Sequence, residues 1–393
     1  MIKFALRPNL IHPLQLIIWN LVRKLETLLI SYLFNFGNSL TFTPLMFIGE
    51  YIGGHVLYLY QKKFLKKKSK PYKFFSITLR QAPVNIVSPD NSKKIYLLIC
   101  FSAFFDWIQF LIWSVHIPKY INLSGSIVSR LSGLLTITDA LFYYYVLRLP
   151  IFKHQLFSLI IIGICLIIII VTEFFFQEIN IFLTYSDFIN ALLLNFICQI
   201  FGALIDAIEK YLYEYDYLNP FYTLMYEGIF GFFMSLLYFL IPNYLDDIII
   251  VYKTFSAGKL VLFTFLLILY IILCAGRNAF RVITTKLYSP MARALTDYFL
   301  NPIYHIYDFG MGNDFLNEGE RDVLYFIINL FISLIISICG CVYNEFMVLF
   351  FCGLERDTYD QISKRSSITH ELIKISEDLG YDDELSECKD TDN

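Results

Sequence analysis

Apolar blocks of about 20 residues, the length that crosses a bilayer as a helix, recur along this 393-residue chain with mostly short polar connections between them. That one feature restricts the fold more than any other. Lipid offers no hydrogen bonds, so each block has to satisfy its own backbone, and a helix does so within one segment. Composition agrees. Hydrophobic residues make up 57% of the chain, charged residues 17%, and the mean hydropathy is +0.58. A soluble protein of this length needs a larger polar shell than that. The expectation is an all-α polytopic membrane protein.

Nine blocks stand out, at about 36–60, 95–116, 124–146, 155–173, 187–208, 220–241, 259–277, 288–308 and 322–345. A tenth, 8–33, is interrupted by Arg23, Lys24 and Glu26. Three charges in mid-span are costly in lipid, so 8–33 reads either as a degenerate first span or as an interfacial amphipathic helix.

Basic residues orient the spans. With the loop 61–94 placed in the cytoplasm, the loops 61–94, 147–155, 208–219 and 277–287 carry sixteen Lys and Arg, against four in 116–123, 173–187, 241–259 and 308–322. Seven lysines fall within 61–73 alone, a solvated loop expected to attract anionic membrane lipid. The stretch 377–392 is strongly acidic and reads as a partly disordered cytoplasmic tail. If 8–33 crosses the membrane, both chain ends lie in the cytoplasm.

Two patterns repeat along the chain. Glu50 and Gly54 in one block answer to Glu227 and Gly231 in another, both ExxxG. Ser126 and Arg130 answer to Ser289 and Arg293, both SxxxR. The matched blocks run in opposite directions in the topology above, which is the arrangement of an inverted repeat. The domain reading is therefore an N-terminal segment 1–35, a first repeat 36–173, a second repeat 187–345 and a tail 346–393: about ten transmembrane helices, nine of them clear, in two inverted five-helix repeats.

Charges inside apolar blocks are the candidate site residues, because facing lipid would cost several kcal/mol. Asp106 has Gln109 one turn away, Asp139 has Thr136 one turn away, and Arg293 has Asp297 one turn away. The substrate-binding candidates are Asp106, Gln109, Arg130, Asp139, Asn278, Arg293 and Asp297. Arg130 and Arg293 would meet an anionic group through the guanidinium fork, while Asp106 or Asp139 would hold a counter-ion or a proton. Charge pairing that fixes helix packing is the competing reading for each. Glu50, Gly54, Glu227 and Gly231 are read as helix-packing residues, Glu209–Lys210 as a cytoplasmic anchor, and His305 as a hydrogen-bonded structural residue. The eight cysteines form no CxxC pair and no zinc pattern.

The segments FTPLMFIGEY (42–51), SGSIVSRLSGLLTITDALFYYYVLRLPIFKHQLFSLIIIGICLII (124–168), EKYLYEYDYLNPFYTLMYEGIFGFF (209–233) and NAFRVITTKLYSPMARALTDYF (278–299) resemble the drug/metabolite transporter superfamily, and within it the nucleotide-sugar-transporter-like solute carriers. Glu50, Asp106, Arg130, Glu209, Lys210, Glu227, Gly231, Asn278, Lys286, Arg293 and Asp297 fall where that pattern has the same residue types. The resemblance covers about 36–345 and implies ten helices in two inverted halves, a central cavity and alternating access. It also implies an endomembrane location, Golgi or lysosome/vacuole-like.

The function expected is a secondary transporter or exchanger of a small organic solute, an anionic one preferred. A non-transporting scaffold or receptor, or an intramembrane enzyme with Asp106 facing Asp139, are the rivals. No GxxxxGK[ST], HExxH or GxSxG motif is present, and the reading is not an enzyme. No cofactor, metal or nucleic acid is expected. The expected partners are membrane lipids and the solute, with a homodimer as the assembly to test.

Overall fold

The computed structural model describes residues 2–4, 11–34, 39–65, 73–74, 77–78, 92–117, 131, 133–148, 150–177, 185–240, 246–287, 294, 298–303, 306, 320–350, 353–358 and 361. The helices are α1 (Ile11–Phe34), α2 (Ser39–Leu65), α3 (Ser92–Leu111, prolonged by a π-helical turn Ile112–His116), α4 (Gly133–Tyr145) and α5 (Lys153–Gln177). They continue with α6 (Tyr185–Glu214), α7 (Pro220–Ser235, tightening to 3-10 over Leu236–Leu240), α8 (Asp246–Thr254), α9 (Ala257–Leu287) and α10 (Glu320–Tyr343). Two short antiparallel ladders complete the described structure. Strand β1 (Ile2–Phe4) pairs with β4 (Met347–Leu349), and β2 (Lys73–Phe74) with β3 (Ile77–Thr78).

Among the described residues, six helices are long and apolar enough to span a membrane: Lys93–His116, Lys153–Thr172, Ile189–Glu214, Pro220–Leu240, Ala257–Lys286 and Val323–Tyr343. The surface is inverted relative to a soluble protein. Helix α1 exposes Leu14, Ile18, Val22, Leu25, Leu29 and Leu33 at helical spacing, and buries Asn20 and Glu26. Helix α5 exposes Ile160, Ile164, Ile167, Ile168 and Val171 while burying Ser158. An apolar stripe turned outward over a polar interior is stable in lipid and not in water. The chain is an integral, multi-pass α-helical membrane protein.

Contacts between helix ends sort the bundle into two faces. On one face the Gln61 side chain accepts a hydrogen bond from Asn219 at 2.6 Å, and Lys94 donates to the Tyr211 hydroxyl at 2.7 Å. Tyr215 donates to the Leu147 carbonyl at 3.3 Å, and His154 lies 3.6 Å from Glu345. The β1–β4 ladder sits beside Glu345 and so belongs to this face as well. On the other face the Phe34 ring meets those of Phe255 and Phe263, and the Tyr238 hydroxyl donates to the Trp107 carbonyl. The ends grouped on the first face are those assigned to the cytoplasm by basic charge. Helix α1 therefore starts on that face and ends on the opposite one. Its 24 residues reach about 36 Å.

Two boundaries differ from the sequence expectation. Residues 277–287 form no loop: α9 runs unbroken to Leu287, because the polar residues Asn278, Arg281, Thr284 and Thr285 are buried inside the bundle and Arg277 is half-buried. Taking those three basic residues away still leaves thirteen against four, so the charge asymmetry of the expected loops keeps its sign. Likewise α6 continues to Glu214, past the expected end at 208. Of the expected span 124–146, residues 124–130 lie outside the described residues and Gly133–Tyr145 is helix, and residues 362–393 of the tail also lie outside the described residues.

The helices are packed in two ways. Around α4, α5 and α10 an aliphatic cluster forms from Leu135, Ile162, Leu166, Ile169, Ile332 and Ile336, with Ala294 and Tyr298 from the 288–308 region. Between α2, α7 and α9 the helices approach through glycine. A Cβ on Gly54 would sit 2.5 Å from the Met225 nitrogen, and one on Gly228 would sit 2.4 Å from the Tyr51 nitrogen. One on Gly231 would overlap the Phe47 ring, and Gly49 and Gly53 face α9 at Ile271 and Ala275. Small residues are what lets membrane helices come this close. Cys100, Cys165, Cys198, Cys274, Cys339 and Cys341 are all free.

Candidate functional site

Where the glycine-backed helices meet, the interior carries charge. Arg281 of α9 is almost wholly buried, and its Nη2 contacts three carboxylates from three other helices. Glu227 Oε2 of α7 accepts its hydrogen bond at 3.0 Å, Glu209 Oε1 of α6 lies at 3.0 Å, and Glu50 Oε1 of α2 at 3.9 Å. The exposures of Glu50, Glu209 and Glu227 are 1%, 0% and 3%. On α3, Ser102 donates to the other oxygen of Glu227 at 2.6 Å, and Asp106 lies close enough to act electrostatically on Glu50, Glu227 and Arg281. Arg277, one turn before Arg281, acts on Glu50 and donates to the Asn278 side-chain Oδ1 at 2.7 Å.

Local structure explains how the sequence puts these groups together. Asn219 caps α7 by accepting from the Phe221 amide at 3.0 Å, with Pro220 in the first turn, where its missing N–H costs nothing. That start sets Glu227, Gly228 and Gly231 on the face turned to α2. In α2, Gly49 and Gly53 admit α9 while Gly54 admits α7, so Glu50 lies in the crevice between them. The α2–α7 contact is also reciprocal. The offset of 177 that carries Glu50 to Glu227 and Gly54 to Gly231 carries Tyr51 to Gly228, and Tyr51 and Gly228 are in contact.

A second buried polar group lies beside the first. Asp139 of α4 and Asp206 of α6 are both fully buried, and both act on the Tyr143 hydroxyl. Asp139 also acts on Tyr343 of α10, and Glu209 acts on Tyr143, which links the two groups through α6.

The sequence candidates distribute as follows. Asp106 and Asn278 lie at the Arg281 centre. Glu50 and Glu227 are there as well, so besides standing at the α2–α7 contact they carry its charge. Gly54 and Gly231 are at that same contact. Gln109 donates to the Cys198 carbonyl at 3.1 Å and ties α3 to α6. Asp139 belongs to the second group, and its neighbour Thr136 hydrogen-bonds Tyr298. Arg130, Arg293, Asp297 and His305 lie outside the described residues. Glu209 is not the exposed cytoplasmic anchor expected of it. With α6 helical to Glu214, Glu209 faces the interior, while Lys210 pairs at 2.6 Å with Glu214.

The residue the sequence reading missed is Arg281. It was counted with the basic residues of a loop because the apolar run ends near 277. The available signal was the i, i+4 spacing of Arg277 and Arg281 on a helix with no stop residue before Leu287.

A scan of protein-family models matches none to this chain, and a search of curated proteins finds no significant match.

Proposed function

We propose that this protein is a secondary transporter or exchanger of a small organic solute, working by alternating access between two inverted five-helix halves, with α1 as the first of ten spans. The observation that carries this reading is the Arg281 centre, in which Glu50 from the first half and Glu227 from the second meet one buried guanidinium. Charge buried in a membrane bundle is costly and marks ion and solute paths by default. Binding at the contact of inverted halves is the arrangement from which one half rocks against the other. The reciprocal Tyr51–Gly228 contact supports the inverted relation, and the end-to-end course of α1 supports the tenth span. The sequence likeness to drug/metabolite transporters points the same way.

The preference for an anionic solute rests on Arg130 and Arg293. The described interior is acidic on balance and favours a cation or a proton beside the solute. Purified protein in liposomes, given a panel of nucleotide sugars, nucleotides and amino acids, is expected to take up or exchange at least one. Folded protein that moves none of them would overturn the reading. Arg130→Ala and Arg293→Ala should lower transport while leaving folded protein; if both only unfold it, the two arginines are packing residues.

A further inference from the structure

The charges at the Arg281 centre do not balance. The groups facing Glu50 are Asp106 from α3, Glu227 from α7, and Cys274, Arg277 and Arg281 from α9, with Ser102 of α3 on Glu227 and Glu209 and Tyr213 of α6 completing the centre. Four carboxylates therefore stand against two guanidiniums. An uncompensated carboxylate in a low-dielectric interior is expensive enough that it takes up a proton or a counter-charge. Glu227 is well provided for, with Ser102 on one oxygen and Arg281 on the other. Glu209 touches the same guanidinium at 3.0 Å. Glu50 is the one left over. It is buried and stands off from Arg281 at 3.9 Å where Glu209 lies at 3.0 Å, and the oxygens of neither have a hydrogen-bond partner among the described residues.

We propose that Glu50 is a proton carrier whose loading and release accompany solute movement, an inference that rests on the transporter reading above. Loading forms one O–H bond on a Glu50 carboxylate oxygen, with the proton taken from hydronium and water left behind. Release breaks that bond and returns the proton to water on the other side, and no electron is transferred. A proton fits this position better than a metal ion. No group of three or more His, Cys, Asp or Glu that could hold a metal occurs among the described residues. Coupling follows from position. Glu50 lies between Gly49, which admits α9, and Gly53 and Gly54, which admit α9 and α7. A change of its charge is therefore felt at the contact between the halves.

Two measurements test this. The first needs no solute and no variant: infrared difference spectra of the purified wild-type protein between acid and alkaline buffer. The expected result is a protonated-carboxyl C=O signal that shifts in heavy water, is unchanged by sodium and is lost in Glu50→Gln. Absence of the signal in wild type, its persistence in Glu50→Gln or its removal by sodium overturns the proposal, whatever the transport assay gives. The second uses liposomes holding a pH-sensitive dye, with each panel solute added outside in turn. The expected result is proton movement driven by the transported solute and lost in Glu50→Gln. Solute uptake without proton movement overturns the coupling and leaves the transporter reading intact. If Glu50→Gln does not fold, Glu50→Asp is the substitute, with the expected result a carboxyl signal displaced from its wild-type position.

Discussion

The α2–α7–α9 contact and the α4–α5–α10 contact solve the same problem by opposite means. Around Ile162 the helices are held apart by interlocking aliphatic side chains. Around Arg281 they are drawn together over Gly49, Gly53, Gly54, Gly228 and Gly231, and the crevice between them is filled by paired charges. Both interiors are shielded from lipid, so the difference is one of purpose. Aliphatic packing in lipid gains only from fit, because lipid is as apolar as leucine. A buried charge set adds little to stability alone.

That contrast can be broken or sharpened by substitution, with thermal unfolding of the purified protein as the readout. The largest effect is expected at the charge centre. Arg281→Met leaves three carboxylates without their cation and should cost about 3–5 kcal/mol, the penalty for breaking a buried ion pair, or prevent folding outright. A stability equal to wild type would mean that the arginine is not the hub. Gly228→Ala comes next. Its Cβ would meet the Tyr51 backbone at 2.4 Å, and overpacking of that kind should cost about 3 kcal/mol. A silent substitution would mean that α2 and α7 are not so close.

Leu166→Ala in the aliphatic region should cost about 2 kcal/mol, near the low end for large-to-small changes, because in lipid only the packing part is lost. Gly163→Ala, on the same helix, is expected to be harmless or to stabilise by up to about 1 kcal/mol, since the nearest atom to its new methyl is 3.9 Å away. If Gly163→Ala proves as damaging as Gly228→Ala, the division into two kinds of contact fails.

The bundle was more legible in the sequence than its centre. Apolar blocks are set by the thickness of the membrane, which one chain displays directly, so the expected spans overlap the described helices, although α6 and α9 run on to Glu214 and Leu287 and most of 288–308 lies outside the described residues. The first block, with Arg23 and Glu26, was ambiguous because apolarity alone cannot tell a charge facing lipid from one facing protein. The β1–β4 ladder and the contact of Phe34 with Phe263 place α1 from one face to the other. The ExxxG repeat pointed to α2 and α7, but it was read as packing, because nothing local to Glu50 or Glu227 says which cation they share. Their partner is 231 residues from one and 54 from the other. Pairing across helices is a property of the fold, and one sequence does not display it. Asp106 has Gln109, and no basic residue, one turn away on its own helix, and the guanidinium near it is that of Arg281 from α9.

The central claim is that Glu209 and Glu227 are held inside the bundle by Arg281, with Glu50 at the edge of its reach. The most direct test is the stability of Arg281→Gln beside that of the combined Arg281→Gln, Glu209→Gln, Glu227→Gln protein. If the carboxylates depend on this arginine, the single change is severe, and removing two of the charges it balanced restores most of the lost thermal stability. If the combined protein is less stable than Arg281→Gln alone, the carboxylates are satisfied by other groups and the centre described here does not exist.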